Sequence, residues 1–152
     1  AQYSERGPDY VYNMQRLLRK FDTAKNLVPQ PVVSQTEVPS RFGAIYFGST
    51  SPAMQEAIVS LHDQSIPLDT LRVRAFPFPD SVREFIDAHE SVFVIEQNRD
   101  GQLRNLLINE FGIDPVRLVA VLHYDGTPIT ARFIADAIAS RARPVEQREK
   151  VA

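Results

Sequence analysis

The stretch VFVIEQNRDGQLRNLL, Val92 to Leu107, decides how this chain reads. Its four leading apolar residues match a buried strand. Glu96, Gln97 and Asn98 follow, and from Gly101-Gln102 a helical pattern opens, with Leu103, Leu106, Leu107 and Phe111 inward and Gly112 as its stop. A strand that enters a helix through a short polar turn is half of a βαβ unit. The polar turn poses the functional question, because ligands and partners of open α/β sheets meet the carboxyl ends of the strands.

The same alternation extends outward in both directions. GAIYFGS reads as a strand, and Ser51-Pro52 starts a helix with Met54, Ala57, Ile58 and Leu61 on one face. PLDTLRVRA is a strand with one covered and one wetter face. After the FPFPD turn, Ser81 and Glu84 suggest a capping box for a helix carrying Val82, Phe85 and Ile86. VRLVAVLH is a further strand, and Thr130 to Arg141 a last helix with Phe133, Ile134, Ala137 and Ile138 on one side. Near-continuous apolar strands belong to sheets covered on both faces. The expected fold is therefore a three-layer α/β/α domain over residues 42–142, with a mainly parallel sheet of four to five strands. A fifth strand has room near Pro31 to Gln35. Ahead of the domain, residues 1–26 hold an amphipathic helix, with Val11, Met14, Leu18 and Phe21 at three- and four-residue steps. Residues 27–41 are a Pro-rich linker, and residues 143–152 a charged tail.

Composition narrows the function. The 152 residues are 43% hydrophobic, enough for one domain with a sizeable core, and the net charge of -2 offers no basic surplus for nucleic acid or an anionic membrane. No apolar run is long enough to span a bilayer. The chain opens AQYSERGPDY without Met, which suggests a processed chain or an excised fragment. The absence of cysteine removes thiol nucleophiles, disulfides and cysteine-ligated clusters from this chain and fits a cytoplasmic protein. His62, His89 and His123 lack ligand-like spacing, so a zinc site is not expected; they read as surface or satisfied core histidines.

Three polar clusters fall at the expected carboxyl edge: Gly48-Ser49-Thr50-Ser51, Glu96-Gln97-Asn98 with Gly101-Gln102, and His123 to Thr127. Glu96 and Asn98 either cap the following helix or serve a ligand or partner. The GST turn has one of the three glycines a dinucleotide fingerprint needs, and neither a phosphate-binding P-loop nor a nucleophile elbow is present. The Phe76-Pro77-Phe78-Pro79 run is either a plug on the domain's own core or a stiff apolar contact for another domain.

The pieces GAIYFGSTSPAMQEAI, LRVRAFPFP, VFVIEQNRDGQL and YDGTPIT together resemble the C-terminal domain of the alpha subunit of 2-oxoacid:ferredoxin oxidoreductases, above all the 2-oxoglutarate type. YNMQRLLRKF resembles the helix that links this domain to a preceding pyrimidine-binding domain. The resemblance implies a fold like the transketolase C-terminal domain. It also implies membership of an enzyme that uses thiamine diphosphate, magnesium and iron–sulfur clusters, forms acyl-coenzyme A and reduces ferredoxin. Its implied partners are the rest of the alpha subunit, the beta subunit, ferredoxin and coenzyme A. The chain shows no pyrophosphate-binding motif, so the resemblance implies a structural, assembly role. No catalytic, cofactor or metal residue is assigned within it. Gly48, Ser49, Thr50, Phe76, Phe78, Pro79, Glu96, Asn98, Gly101 and Gln102 are the candidate interface or motif residues. The isolated chain is expected to be inactive. The alternative is a free-standing module holding a small anionic ligand at Gly48-Ser49-Thr50.

Overall fold

The computed structural model describes residues 3–142; the expected charged tail lies outside the described residues. Helix α1 spans Gly7–Ala24. There follow β1 (Val32–Ser34), β2 (Phe42–Phe47), α2 (Ser51–Asp63), β3 (Asp69–Val73), α3 (Asp80–Asp87), β4 (Ser91–Glu96), α4 (Gln102–Phe111), β5 (Leu118–Leu122) and α5 (Ala131–Ala142). The sheet order is β1-β3-β2-β4-β5. β2 pairs parallel with both β3 and β4, and β4 pairs parallel with β5. β1 is the fifth strand for which the linker left room, and it runs antiparallel to β3.

Period-two alternation sorts the strand side chains into two cores. Ala44, Tyr46, Phe93, Ile95 and Val121 pack against Met54, Ala57 and Leu61 of α2 and Ile134 and Ile138 of α5. Ile45, Leu71, Val92, Val94 and Leu118 pack against Val82, Phe85 and Ile86 of α3 and Leu103 and Leu107 of α4. The sheet is thus covered on both faces, as its continuous apolar strands require. Gly43 marks the closest approach, since a Cβ there would stand 2.8 Å from Phe85 Cε1 and 3.1 Å from His89 Cγ.

Several local expectations change. The Ser81–Glu84 capping box does not form: the cap falls two residues earlier, at Pro79, which lends no side-chain bond, and α3 starts at Asp80. The helix read from Ser51-Pro52 does start there, as α2, with the Gly48–Thr50 turn winding directly into it. Leu106 and Phe133 stay 37% exposed, at the margins of their helices' buried stripes.

Helix α1 buries no residue. It touches the body near its C-terminal end, where the Phe21 and Phe76 rings lie 6.1 Å apart and Lys25 Nζ stands 3.6 Å from Asp80. The linker is fastened more firmly. Asp69 Oδ1 accepts the Thr36 backbone N–H and hydroxyl, both at 2.8 Å, and Asp69 Oδ2 lies 3.2 Å from His89 Nε2. His89 Nδ1 meets the Phe85 carbonyl at 2.7 Å. His89 is a satisfied core histidine, 4% exposed, whose partner lies twenty residues away in sequence and so escapes any spacing rule.

Burial pushes the Asp69 carboxyl up, but the Thr36 N–H and hydroxyl and the His89 imidazole outweigh it and hold its pKa below the ordinary value. The unfolded chain therefore takes up this proton at higher pH than the folded one. The contribution of Asp69 is complete above about pH 4 and is lost as the pH falls through the lower folded value. Asp69→Asn is expected to be less stable than the parent near neutral pH, with the gap closing on acidification. Urea midpoints measured across the acid range check this, and a constant gap counts against it.

Candidate functional site at the carboxyl edge of the sheet

The carboxyl end of β4 carries a buried carboxylate. Glu96 is fully enclosed, at 0% exposure. Its Oε2 accepts the Leu103 backbone N–H at 2.7 Å and the Asn98 side-chain amide at 2.8 Å, and its Oε1 accepts the Arg104 N–H at 3.0 Å. Asn98 Oδ1 in turn accepts the N–H groups of Asp100 and Gln102, both at 3.2 Å. The first three N–H groups of α4 have no partner within the helix, and the cap residue Gly101 has no side chain to offer. Glu96 and Asn98 supply the missing acceptors from the preceding strand and turn. The negative group also sits at the positive end of the helix dipole. Gly101 holds φ +60°, the left-handed region, and a Cβ there would find only ordinary contacts, 3.8 Å from Leu122 and 3.9 Å from Glu96 Oε1. The demand for glycine comes from the backbone conformation rather than from crowding.

Gln97, the middle member of the polar trio, joins three loops. Its amide donates to Ser49 Oγ at 3.1 Å and Thr50 Oγ1 at 3.2 Å, and its carbonyl accepts the Ile129 N–H at 3.4 Å. The two hydroxyls proposed for an anion are thereby already engaged as acceptors. Gln97 was not among the candidate residues. The signal for it was its position at the strand end, together with an amide that can donate and accept at once. In the β5 loop the Thr127 backbone N–H and hydroxyl, with nearby His123, hold the Asp125 carboxyl below its ordinary pKa.

A shallow groove of about 440 Å³ lies beside β3 and α4. It brings together Gly48, Phe76, Phe78 and Gln102 among the candidates, along with Phe47, Arg74 and Leu106. Phe78 is buried, with its ring 5.2 Å from Phe76 and 5.9 Å from Phe111, so it plugs the core. Phe76 is 43% exposed and is the outward half of the motif. Pro79 is buried at the start of α3. Ser49, Thr50, Glu96 and Asn98 do not line the groove. Among the described residues no group of three or more His, Asp or Glu side chains could hold a metal ion, and the chain has no cysteine. Without cysteine the chain offers no thiolate to an iron–sulfur cluster.

Comparison with known proteins gives this edge its context. No protein-family model matches the chain. The alpha subunit of 2-oxoacid:ferredoxin oxidoreductase 2 from Aeropyrum pernix is 28% identical over 134 residues, covering 86% of this chain and 21% of that subunit. The alpha subunit of the 2-oxoacid:ferredoxin oxidoreductase from Saccharolobus solfataricus is 25% identical over 140 residues, covering 88% of this chain and 22% of that subunit. This chain is homologous to one segment of these alpha subunits. It spans about a fifth of their length. In fold it matches the solved 2-oxoglutarate:ferredoxin oxidoreductase from Magnetococcus marinus, which has 2-oxoglutarate, coenzyme A and succinyl-CoA bound. The TM-score is 0.80 at 19% identity, over 92% of this chain and 24% of that one. A split-gene transketolase, an inactive β4 tetramer, matches with a TM-score of 0.54 at 17% identity, over 72% of this chain and 40% of that one. The fold is therefore of the transketolase C-terminal kind.

The capping geometry yields two expectations. Glu96→Ala strands three donors, the buried Leu103 N–H and two that are partly buried, and should cost about 3 kcal/mol or more, because bonds to charged groups are worth roughly 1.5–3 kcal/mol each. Gly101→Val forces a β-branched residue into a left-handed conformation and should cost about 1–3 kcal/mol. Chemical denaturation of both variants checks these values; an unchanged midpoint for either removes the corresponding argument.

Proposed function

We propose that this chain is the C-terminal domain, with its linking helix, of the alpha subunit of a cytoplasmic 2-oxoacid:ferredoxin oxidoreductase acting on 2-oxoglutarate. In this reading residues 1–26 are the linking helix, 27–41 the linker, 42–142 the domain and 143–152 a tail. The complete enzyme oxidatively decarboxylates its substrate, forms an acyl-coenzyme A and passes electrons to ferredoxin, using thiamine diphosphate, magnesium and iron–sulfur clusters held by other parts of the assembly. The observation that carries the proposal is the similarity, over most of this chain, to about a fifth of each of two alpha subunits.

The site geometry supports an assembly role for the domain. The polar groups at the sheet's carboxyl edge are spent on the fold: Glu96 and Asn98 on the start of α4, Gln97 on three loops. What the molecule turns outward is apolar. Val11, Leu18 and Phe21 of α1 are more than half exposed, and Phe21 leads directly onto Phe76 at the groove. Surfaces of this kind are covered in assemblies. Placing catalytic parts correctly is itself worth large rate factors, and that is the work assigned to this domain.

Calorimetric titration of the isolated chain with thiamine diphosphate and magnesium is expected to show no binding. The complete enzyme that contains it is expected to reduce ferredoxin with 2-oxoglutarate and coenzyme A. Phe76→Asp in that enzyme should lower the assembled fraction in sizing chromatography, while the turnover of the remaining complex is retained. Tight cofactor binding by the chain alone, or full assembly with lost turnover, overturns the assembly role. Turnover with a different 2-oxoacid only overturns the substrate assignment.

A further inference from the structure

The two edges of the sheet are built differently. At one edge, β1 has three residues, follows Pro29 and Pro31, and runs antiparallel to its neighbour. Short strands and nearby prolines protect an edge from pairing with other chains. At the other edge, β5 is Leu118-Val119-Ala120-Val121-Leu122, without a charge or a proline.

The ladder shows which of its groups are free. The His123 N–H donates to the Glu96 carbonyl at 2.9 Å, so residues 119, 121 and 123 bond toward β4. By the alternation of a parallel ladder, Leu118, Ala120 and Leu122 turn their backbone groups to the open side. Arg104 Nε takes the Leu118 carbonyl at 2.6 Å. Ala120 and Leu122 gain no backbone partner on that side among the described residues. Ala120 is exposed in the middle of the strand.

We propose that the free edge of β5 is a strand-pairing surface for a second copy of this chain, the two β5 strands meeting antiparallel about Ala120. The occupant follows from self-complementarity, which a two-fold contact between identical chains requires. Leu-Val-Ala-Val-Leu reads the same in both directions. Antiparallel pairing about Ala120 therefore sets Leu118 against Leu122 and Val119 against Val121 of the second copy, with the smallest side chain on the axis. Because Ala120 turns both backbone groups outward, the central pair exchanges two N–H···O bonds. Pairing joins the two five-stranded sheets into one and needs no assumption about the enzyme.

Sedimentation velocity of the 152-residue chain over a concentration series tests this. The expected result is a doubling of mass with rising concentration and its loss in Ala120→Pro. Proline is tolerated here because the Ala120 N–H faces the open side, so the bonds to β4 survive. Ala120→Lys, which adds a charge to an exposed position, is the second variant should the proline variant fold poorly by circular dichroism. The chain has no cysteine. Ala120→Cys thus carries the sole thiol, expected about 5.5 Å between Cα atoms from its mate, and a short bis-maleimide should link the two copies; Val59→Cys, exposed on α2, should remain unlinked under the same conditions. A chain that stays monomeric at all concentrations overturns the proposal. So does a dimer that survives both Ala120→Pro and Ala120→Lys, which places the contact elsewhere, such as on the apolar face of α1.

Discussion

The bond set around Glu96 is the constraint on which the carboxyl edge depends. A carboxylate removed from water must have its oxygens satisfied, because an unpaired buried charge is among the costliest features a fold can carry. The N-terminus of α4 supplies what it needs, and the helix needs the carboxylate for the same reason. Each solves the other's desolvation. The Glu96 backbone stays in the β4 ladder while its side chain holds the Leu103 and Arg104 N–H groups. The strand end and helix start are thereby locked at one angle. Arg104, held at that turn, reaches across to the Leu118 and Pro115 carbonyls and extends the same junction to β5.

From this junction the surface divides into spent and unspent groups. Gln97 closes the space between the β2, β4 and α5 approaches with side-chain bonds. The apolar surface of α1, Phe76 and the groove has no such internal use. A helix with no buried residue gains little from the domain core, and an isolated helix of this length is marginal in water. Its apolar side chains Val11, Leu18 and Phe21 stay more than half exposed.

The order of strands and helices was legible in the residues, because alternation at period two and at three or four residues reflects burial directly. The local errors have one cause. Ser81 and Glu84 have the spacing of a capping box, but Pro79 and Asp80 had already started α3. Leu106 and Phe133 have the right helical phase, but they face the groove and the β5 loop, where no layer covers them. Helical phase tells which way a side chain points, not how far the neighbouring layer extends. The polar turn was likewise readable as a place that poses the functional question; that Gly101 is needed for its left-handed backbone, and not for space, came from the structure.

The sequence by itself determined the covered sheet, the helix faces, and the absence of cysteine chemistry, because these follow from composition and short-range pattern. Only the tertiary structure decided which polar group serves which. The pairing of Asp69 with His89 and Thr36, the three-loop bridge of Gln97, and the contrast between a guarded and an open sheet edge all join residues far apart in the chain. No spacing rule relates such residues, since their meeting is fixed by strand order and register. Those in turn are set by the free energy of the whole packed sheet rather than by any local stretch.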